Sequence, residues 1–345
     1  MNAHTKTNTS HSHCNTTMTV KAPIRFLNYL TTAICGFLGW TLLTDPDYFW
    51  GPVDGVMPYK FARPLLPAPA TLHLDAATKC HLQGVGALML AYFVLTPLCQ
   101  PRTTYHTKAT LRLKLIFYAW HTAFFVQYGW MVAPDPLLVQ AFFRGMAVLT
   151  GSLTLALVGA LRDASVPSGP TATTTAPAKR LVSLLVAPYV LPWALLFLWA
   201  PQQLSPAGRL PFFVASPSSS FDALQQCAFA LDGIHLLATF QWHVDTVWHA
   251  TPLAWYHVWP ALLYTWPLVN AVRDPTGYVD RSKYRVLLGL HLAFVVLVWQ
   301  TLTVPPLPEK KPKVVGTVKL YKTEAVHTSI IIPPLTEEEK VTKVD

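Results

Sequence analysis

The chain alternates long apolar runs with short polar stretches. Residues 26–44, 76–97, 113–133, 139–161, 181–200, 222–241, 251–272 and 284–303 are near-continuous apolar segments. A bilayer core of roughly 30 Å takes about 20 helical residues, and buried helices of soluble proteins rarely stay uniformly apolar beyond about 14. The pattern therefore predicts an all-α, polytopic membrane protein with eight transmembrane helices. The first run is the shortest, and Asn28, Thr31 and Thr32 thin it.

The apolar middle is written twice. Read without gaps, Asp75, Ala76, Cys80, Gly86, Leu90, Ala91 and Phe93 match Asp222, Ala223, Cys227, Gly233, Leu237, Ala238 and Phe240. Downstream, His121, Tyr128 and Trp130 share the spacing of His257, Tyr264 and Trp266. Arg144 and Arg285 open the next runs, and Trp40-Thr-Leu-Leu answers Trp193-Ala-Leu-Leu. The expected organisation is a polar N-terminal tail (1–24), a first four-helix repeat (25–161), a flexible linker (162–180), a second four-helix repeat (181–303) and a Pro/Lys/Glu-rich C-terminal tail (304–345).

An even helix count makes the two repeats parallel, related by an axis along the membrane normal. Both tails, the linker and the 98–112 and 242–250 loops then share one face, which carries 17 basic residues against 9 opposite. That balance leans both tails toward the cytosol or matrix. The loops after the first and fifth helices are long, Pro-rich and aromatic (Tyr48, Phe49, Trp50, Phe212, Phe213), which reads as lids or interfacial segments.

Composition narrows the class. Charged residues are only 12% of the chain and apolar ones 52%, against about 25% charged in soluble domains. The net charge of +9 is not a nucleic-acid footprint, since seven of the 26 basic residues lie in the C-terminal tail and no basic stripe with interleaved aromatics appears. Five cysteines form neither a CxxC nor a paired framework. Polar residues precede the first run, so no secretory signal is read there. The Ser/Thr/Asn-rich start without acidic residues before Asp45 leans toward an organelle, the mitochondrial inner membrane being favoured.

The repeated polar set is the first candidate for chemistry. Asp75 and Asp222 open the second helix of each half and Arg144 and Arg285 the fourth, on one membrane face. Structurally they cap helices, pair and anchor at the interface; functionally they would gate a cavity. His121 and His257 fall mid-helix, where ionisable groups default to functional hypotheses, with a neutral interhelical hydrogen bond as the alternative. A b-type haem held by His235 and His257 is a further alternative, because both fall near one depth. His243, Asp245 and His249 form H-x-D-x3-H, and His11, His13 and Cys14 lie in the N-terminal tail. Neither metal candidate has a complete ligand set. No cofactor motif is present, so no cofactor is expected beyond bound lipids.

Each half resembles DoxX-like four-helix membrane proteins. The residues that carry the resemblance are Leu42-Leu43-Thr44-Asp45-Pro46-Asp47-Tyr48-Phe49 and Gly84-Val85-Gly86-Ala87-Leu88, with Trp199-Ala200-Pro201 and Gly233 in the second half. The resemblance implies the four-helix fold of each half and, for some members, an accessory role beside quinone-linked membrane oxidoreductases. It carries over no catalytic residue.

Three functions follow as expectations. The first is a non-catalytic scaffold or accessory subunit of a larger, organellar energy-transducing complex, with lipids and other subunits as partners through the C-terminal tail and long loops. The second is a transporter or small-molecule-binding membrane enzyme with a cavity lined by His121 and His257. The third is the haem protein. Interior prolines at Pro192 and Pro260, both in the second half, lack the paired helix breaks of many transporters.

Overall fold

The computed structural model describes residues 20–47, 74–99, 105–134, 138, 140–167, 177–204, 208–212, 223–248, 255–276 and 279–303. The N-terminal metal candidates, most of both long loops and the C-terminal tail lie outside them.

Eight long helices make up the described chain. Helix α1 (Ala22–Thr44) has Pro23 in its first turn, where the fixed φ suits a helix and the missing N–H costs nothing. Helix α2 (Ala76–Leu98) is capped by Asp75, whose carboxylate accepts from the Thr78 amide at 2.9 Å and the Thr78 hydroxyl at 2.7 Å. It widens into a π-turn over Ala91–Leu95. Helix α3 (Lys108–Val126) is capped by Thr107 and runs into a second π-turn, Gln127–Met131. Then come α4 (Gln140–Arg162), α5 (Pro177–Trp199), α6 (Ala223–Trp248), α7 (Trp255–Arg273) and α8 (Arg281–Thr303).

The expected and observed helices differ in two ways. The sequence places a loop at 242–250, but α6 continues to Trp248 and puts His243 and Asp245 on a helix. Its last turns are held by packing rather than by apolar composition: Trp242 is fully buried, and Arg112 of α3 meets Asp245 at 3.3 Å. Pro188 and Pro267 also lie inside helices, so α5 and α7 each contain two interior prolines.

Helices α1, α2, α4 and α8 are long and apolar enough to cross a bilayer. Their outward faces are apolar, with Phe26, Phe37 and Trp40 on α1, Leu155 on α4, and Val286, Leu290 and Val296 on α8 all exposed. Polar side chains such as Asn28 and Thr31 are buried instead. This inverted arrangement matches a lipid surround, since soluble proteins rarely expose such continuous apolar faces.

The packing is ordered around α2 and α6. Helix α1 packs on α2, α3 on α4, α5 on α6 and α7 on α8. At the centre α2 meets α6; α2 also packs on α7, and α6 on α3. Each central helix thus wedges into the opposite half. Glycine permits the closest approach: a Cβ on Gly86 would lie 2.4 Å from the Leu43 nitrogen and 2.6 Å from the Gly39 oxygen. On α6, a Cβ on Gly233 would lie 2.9 Å from Leu198 Cγ and 3.2 Å from the Ala194 oxygen.

Two acidic side chains tie helix ends. Asp163 pairs with Lys21 at 2.9 Å, joining the ends of α4 and α1. That hydrogen bond, helped by Ser165, holds its carboxyl at about 2, below the usual 3.8. Asp280 caps α8 through Ser282, which with Lys283 holds it likewise at about 2. Both values are depressed on folding, so both carboxylates stabilise above the ordinary value, and the contribution is lost as pH falls through about 2. Thermal unfolding followed by circular dichroism should be flat from neutrality down to about pH 4 and decline below it. The doubly substituted Asp163→Asn, Asp280→Asn protein should decline less steeply.

Candidate functional site

The helix pattern leaves two chambers, one in each half. The first, about 50 Å³, is lined by α1–α4 together with Leu231 of α6, and among its polar groups are His121, Tyr118 and Thr150. The second, about 90 Å³, is lined by α5–α8 together with Cys80, His81 and Leu88 of α2. It is large enough for several waters or part of a small molecule, and its walls carry three histidines: His81, His243 and His291.

A buried polar cluster backs the second chamber. Asp232 of α6 is 0% exposed. Its Oδ2 bonds His81 Nδ1 of α2 at 2.8 Å and accepts the Tyr264 hydroxyl of α7 at 2.8 Å. Gly84 makes the cluster possible, because a Cβ there would lie 2.9 Å from the Tyr264 ring and 3.1 Å from Asp232 Oδ1. The imidazole is clamped between Phe229, 3.8 Å away between ring centres, and the edge of Phe197 at 4.7 Å. His81 and Tyr264 line the chamber while Asp232 stands behind them. Among the described residues, Asp232 Oδ1 and His81 Nε2 have no hydrogen-bond partner.

Charge neutrality fixes the protons of this cluster. A lone buried charge costs far more than a paired one, so Asp232 and His81 together hold one shared proton. That proton lies in the Oδ2–Nδ1 contact, whether the pair is written as imidazolium with carboxylate or as imidazole with carboxylic acid. In both forms Nε2 carries a hydrogen. The arrangement leaves an oriented hydrogen-bond donor on a residue that lines the chamber, with the Asp232 carboxyl behind it steadying the ring.

Two further polar groups near the chamber hold helices together. His291 of α8 donates from Nε2 to the Ala261 carbonyl at 2.8 Å, and its Nδ1 accepts the Tyr189 hydroxyl at 2.7 Å. It is thereby a neutral link among α5, α7 and α8. Cys80 donates to the Pro267 carbonyl at 3.5 Å.

The sequence-marked residues are distributed differently from the repeat pattern. His121 lines the first chamber and donates from Nδ1 to the Phe117 carbonyl at 2.7 Å. His235 does the same to Leu231 at 2.7 Å, and the two rings meet edge to face at 4.5 Å. His235 therefore faces His121; the His257 side chain lies outside the described residues. Asp75 and Arg144 are not brought together. Asp75 caps α2 and accepts from Gln225 of α6 at 2.9 Å. Arg144 donates to the Gly129 carbonyl at 2.8 Å and packs over Trp130. Arg285 is exposed on α8, and Asp222 lies outside the described residues. Of the metal candidates, His243 lines the second chamber, Asp245 pairs with Arg112, and His249 lies outside the described residues. Among the described residues no three His, Cys, Asp or Glu side chains are grouped to hold a metal.

Two buried polar clusters escape a reading built on the repeat. One is the Asp232–His81–Tyr264 cluster. The other is Lys114 of α3, which is 1% exposed and, among the described residues, bonds neutral oxygens: the Asn28 carbonyl at 2.5 Å, its side-chain oxygen, Thr31 at 3.1 Å and Thr32 at 2.7 Å. This clasp joins α3 to α1. The available signal was an ionisable residue inside an apolar run: Asp232 falls within 222–241 and Lys114 within 113–133.

Compared with family models, curated proteins and solved structures, the chain matches none.

Proposed function

We propose that this is an integral membrane protein of eight spanning helices, fused from two four-helix repeats, that binds a small, mainly apolar molecule in the chamber of its second half. The observation that carries the reading is the buried Asp232–His81 pair, whose Nε2 is without a partner among the described residues, at a mostly apolar chamber wall. Ionisable groups within a membrane are costly and default to function. A purely structural scaffold leaves that donor unexplained.

The packing supports the repeat. Exchanging each helix for the one four places on maps α1 on α2 to α5 on α6, α3 on α4 to α7 on α8, and α2 on α7 to α6 on α3. Gly39, Leu42 and Leu43 around Gly86 answer to Ala194, Phe197 and Leu198 around Gly233. That register is two residues from the one pairing Trp40 with Trp193. Along the chamber walls, Tyr118, His121 and Phe125 have the spacing of Ala261, Tyr264 and Leu268, which sets His121 against Tyr264 rather than His257.

Filling the chamber tests the binding reading. Ala261 is 4% exposed and lines the wall, so Ala261→Phe projects a ring into the space. Mass spectrometry of solvent extracts should find an apolar species with the wild-type protein that is depleted in the variant. Leu236→Phe, from the opposite wall, guards against misfolding of the first. Identical extracts from wild type and both folded variants would sink the reading.

A further inference from the structure

We infer that the second chamber takes an elongated apolar molecule ending in a carbonyl group, whose oxygen accepts a hydrogen bond from His81 Nε2. This rests on the chamber being a ligand site.

The shape comes from the wall. Lining residues run from Val186 to Phe197 on α5 and from Tyr284 to Phe294 on α8. At 1.5 Å per residue, both stretches give a slot about 15 Å long, parallel to the helices. His81 is six residues into α2, beside Phe197 and close to the end marked by Tyr284. Beyond it the walls are mostly apolar, with Leu88, Val190, Leu236 and Leu287 among the aromatic Tyr189, Trp193 and Phe294, while Thr239, His243 and His291 add polar groups. The slot therefore fits a single extended apolar body with its polar end at His81.

The polarity of that end follows from the proton count. A net-neutral Asp232–His81 pair leaves hydrogen on Nε2, so the missing partner is an acceptor. The other polar groups beside His81 are already occupied. Tyr264 donates to Asp232, Cys80 to the Pro267 carbonyl, and the Tyr284 hydroxyl meets Cys80. A cationic ligand is disfavoured because the carboxylate does not line the chamber and its free Oδ1 faces Gly84. An anionic head would bring an uncompensated charge to a neutral cluster. A carbonyl oxygen is the uncharged acceptor that fits an apolar slot.

The test is a ligand series on the purified full-length protein in detergent, read as thermal stabilisation against concentration. Ala261→Phe serves as the control for nonspecific partition. The probes are 2-dodecanone, 1-dodecanol, dodecane and dodecylammonium. 2-Dodecanone should bind at least about tenfold more tightly than dodecane, because an unmet buried donor gains its partner. That preference should vanish in His81→Phe while both probes still bind. His81→Gln, which keeps an N–H donor, should retain part of it and serves if the Phe variant does not fold. 1-Dodecanol should follow the ketone, since its oxygen also accepts. Methyl undecanoate in place of the ketone distinguishes an ester from a ketone source. Equal binding of ketone and alkane would overturn the donor assignment while leaving the chamber a ligand site. Tightest binding by dodecylammonium, or strong binding by the alcohol with weak binding by the ketone, would overturn it as well. If no probe separates wild type from the filled variant, the ligand-site reading itself fails.

Discussion

Asp232→Ala should lower the free energy of unfolding by about 3 kcal/mol, the lower end for breaking a buried polar pair from one side. The substitution removes the acceptor of both His81 and Tyr264, at a carboxylate that is itself fully buried. Three helices lose their common tie, because the three residues come from α2, α6 and α7. Asp232→Asn keeps one oxygen within reach of Tyr264 and His81, so it should cost clearly less. The measurement is thermal unfolding of the purified proteins in one detergent, with the helical signal as readout. If Asp232→Ala unfolds like wild type, the cluster is not a structural tie and the charge argument built on it fails.

Gly86→Ala should be the most damaging substitution among the described glycines that lie within helices. The new Cβ would meet backbone atoms of α1 at 2.4 and 2.6 Å, and backbone cannot turn aside as a side-chain tip can. Helices α1 and α2 must then separate along their contact, and overpacking of this kind costs about 1–3 kcal/mol or more. Gly233→Ala meets its nearest atom, the tip of Leu198, at 2.9 Å, and should cost less. Gly159→Ala and Gly289→Ala meet nothing within 4 Å. Those two should gain a few tenths to about 1 kcal/mol from the better helix former. The ordering of the four substitutions is the test. A Gly86→Ala protein as stable as Gly159→Ala would contradict the close approach of α1 and α2.

The repeat both guided and misdirected the sequence reading. Matching positions point to Asp75, His121, Arg144 and their echoes. The residues that build the second chamber's donor stand where the copies differ: His81 faces Ala228 in the alignment, and Asp232 faces Val85. His235, at the edge of this region, faces Leu88. Residues that match between the two segments can serve packing, as Gly86 and Gly233 illustrate. Polar groups present in one segment alone are passed over by a search for repetition. The ionisable residue inside an apolar run was the better signal, since its burial cost demands a reason.

The sequence by itself determined the helices. Apolar runs of bilayer length, Asp75 and Thr107 at helix starts, and Pro23 in a first turn specify where elements begin and what surrounds them, because these are local preferences and bulk partition. The central glycines could be marked from the alignment of the two copies. What only the tertiary structure decided is which helix lies against which. Helix α2 packs on α7 and α6 on α3, so each chamber borrows a wall from the other half. His81 and Asp232 are 151 residues apart, and no local spacing links them. Their meeting depends on the crossing of α2 and α6, which is set by small residues at the contact and by the shape of both surfaces. Packing likewise gives Asp75 and Arg144 different partners: Thr78 and Gln225 for one, the Gly129 carbonyl for the other.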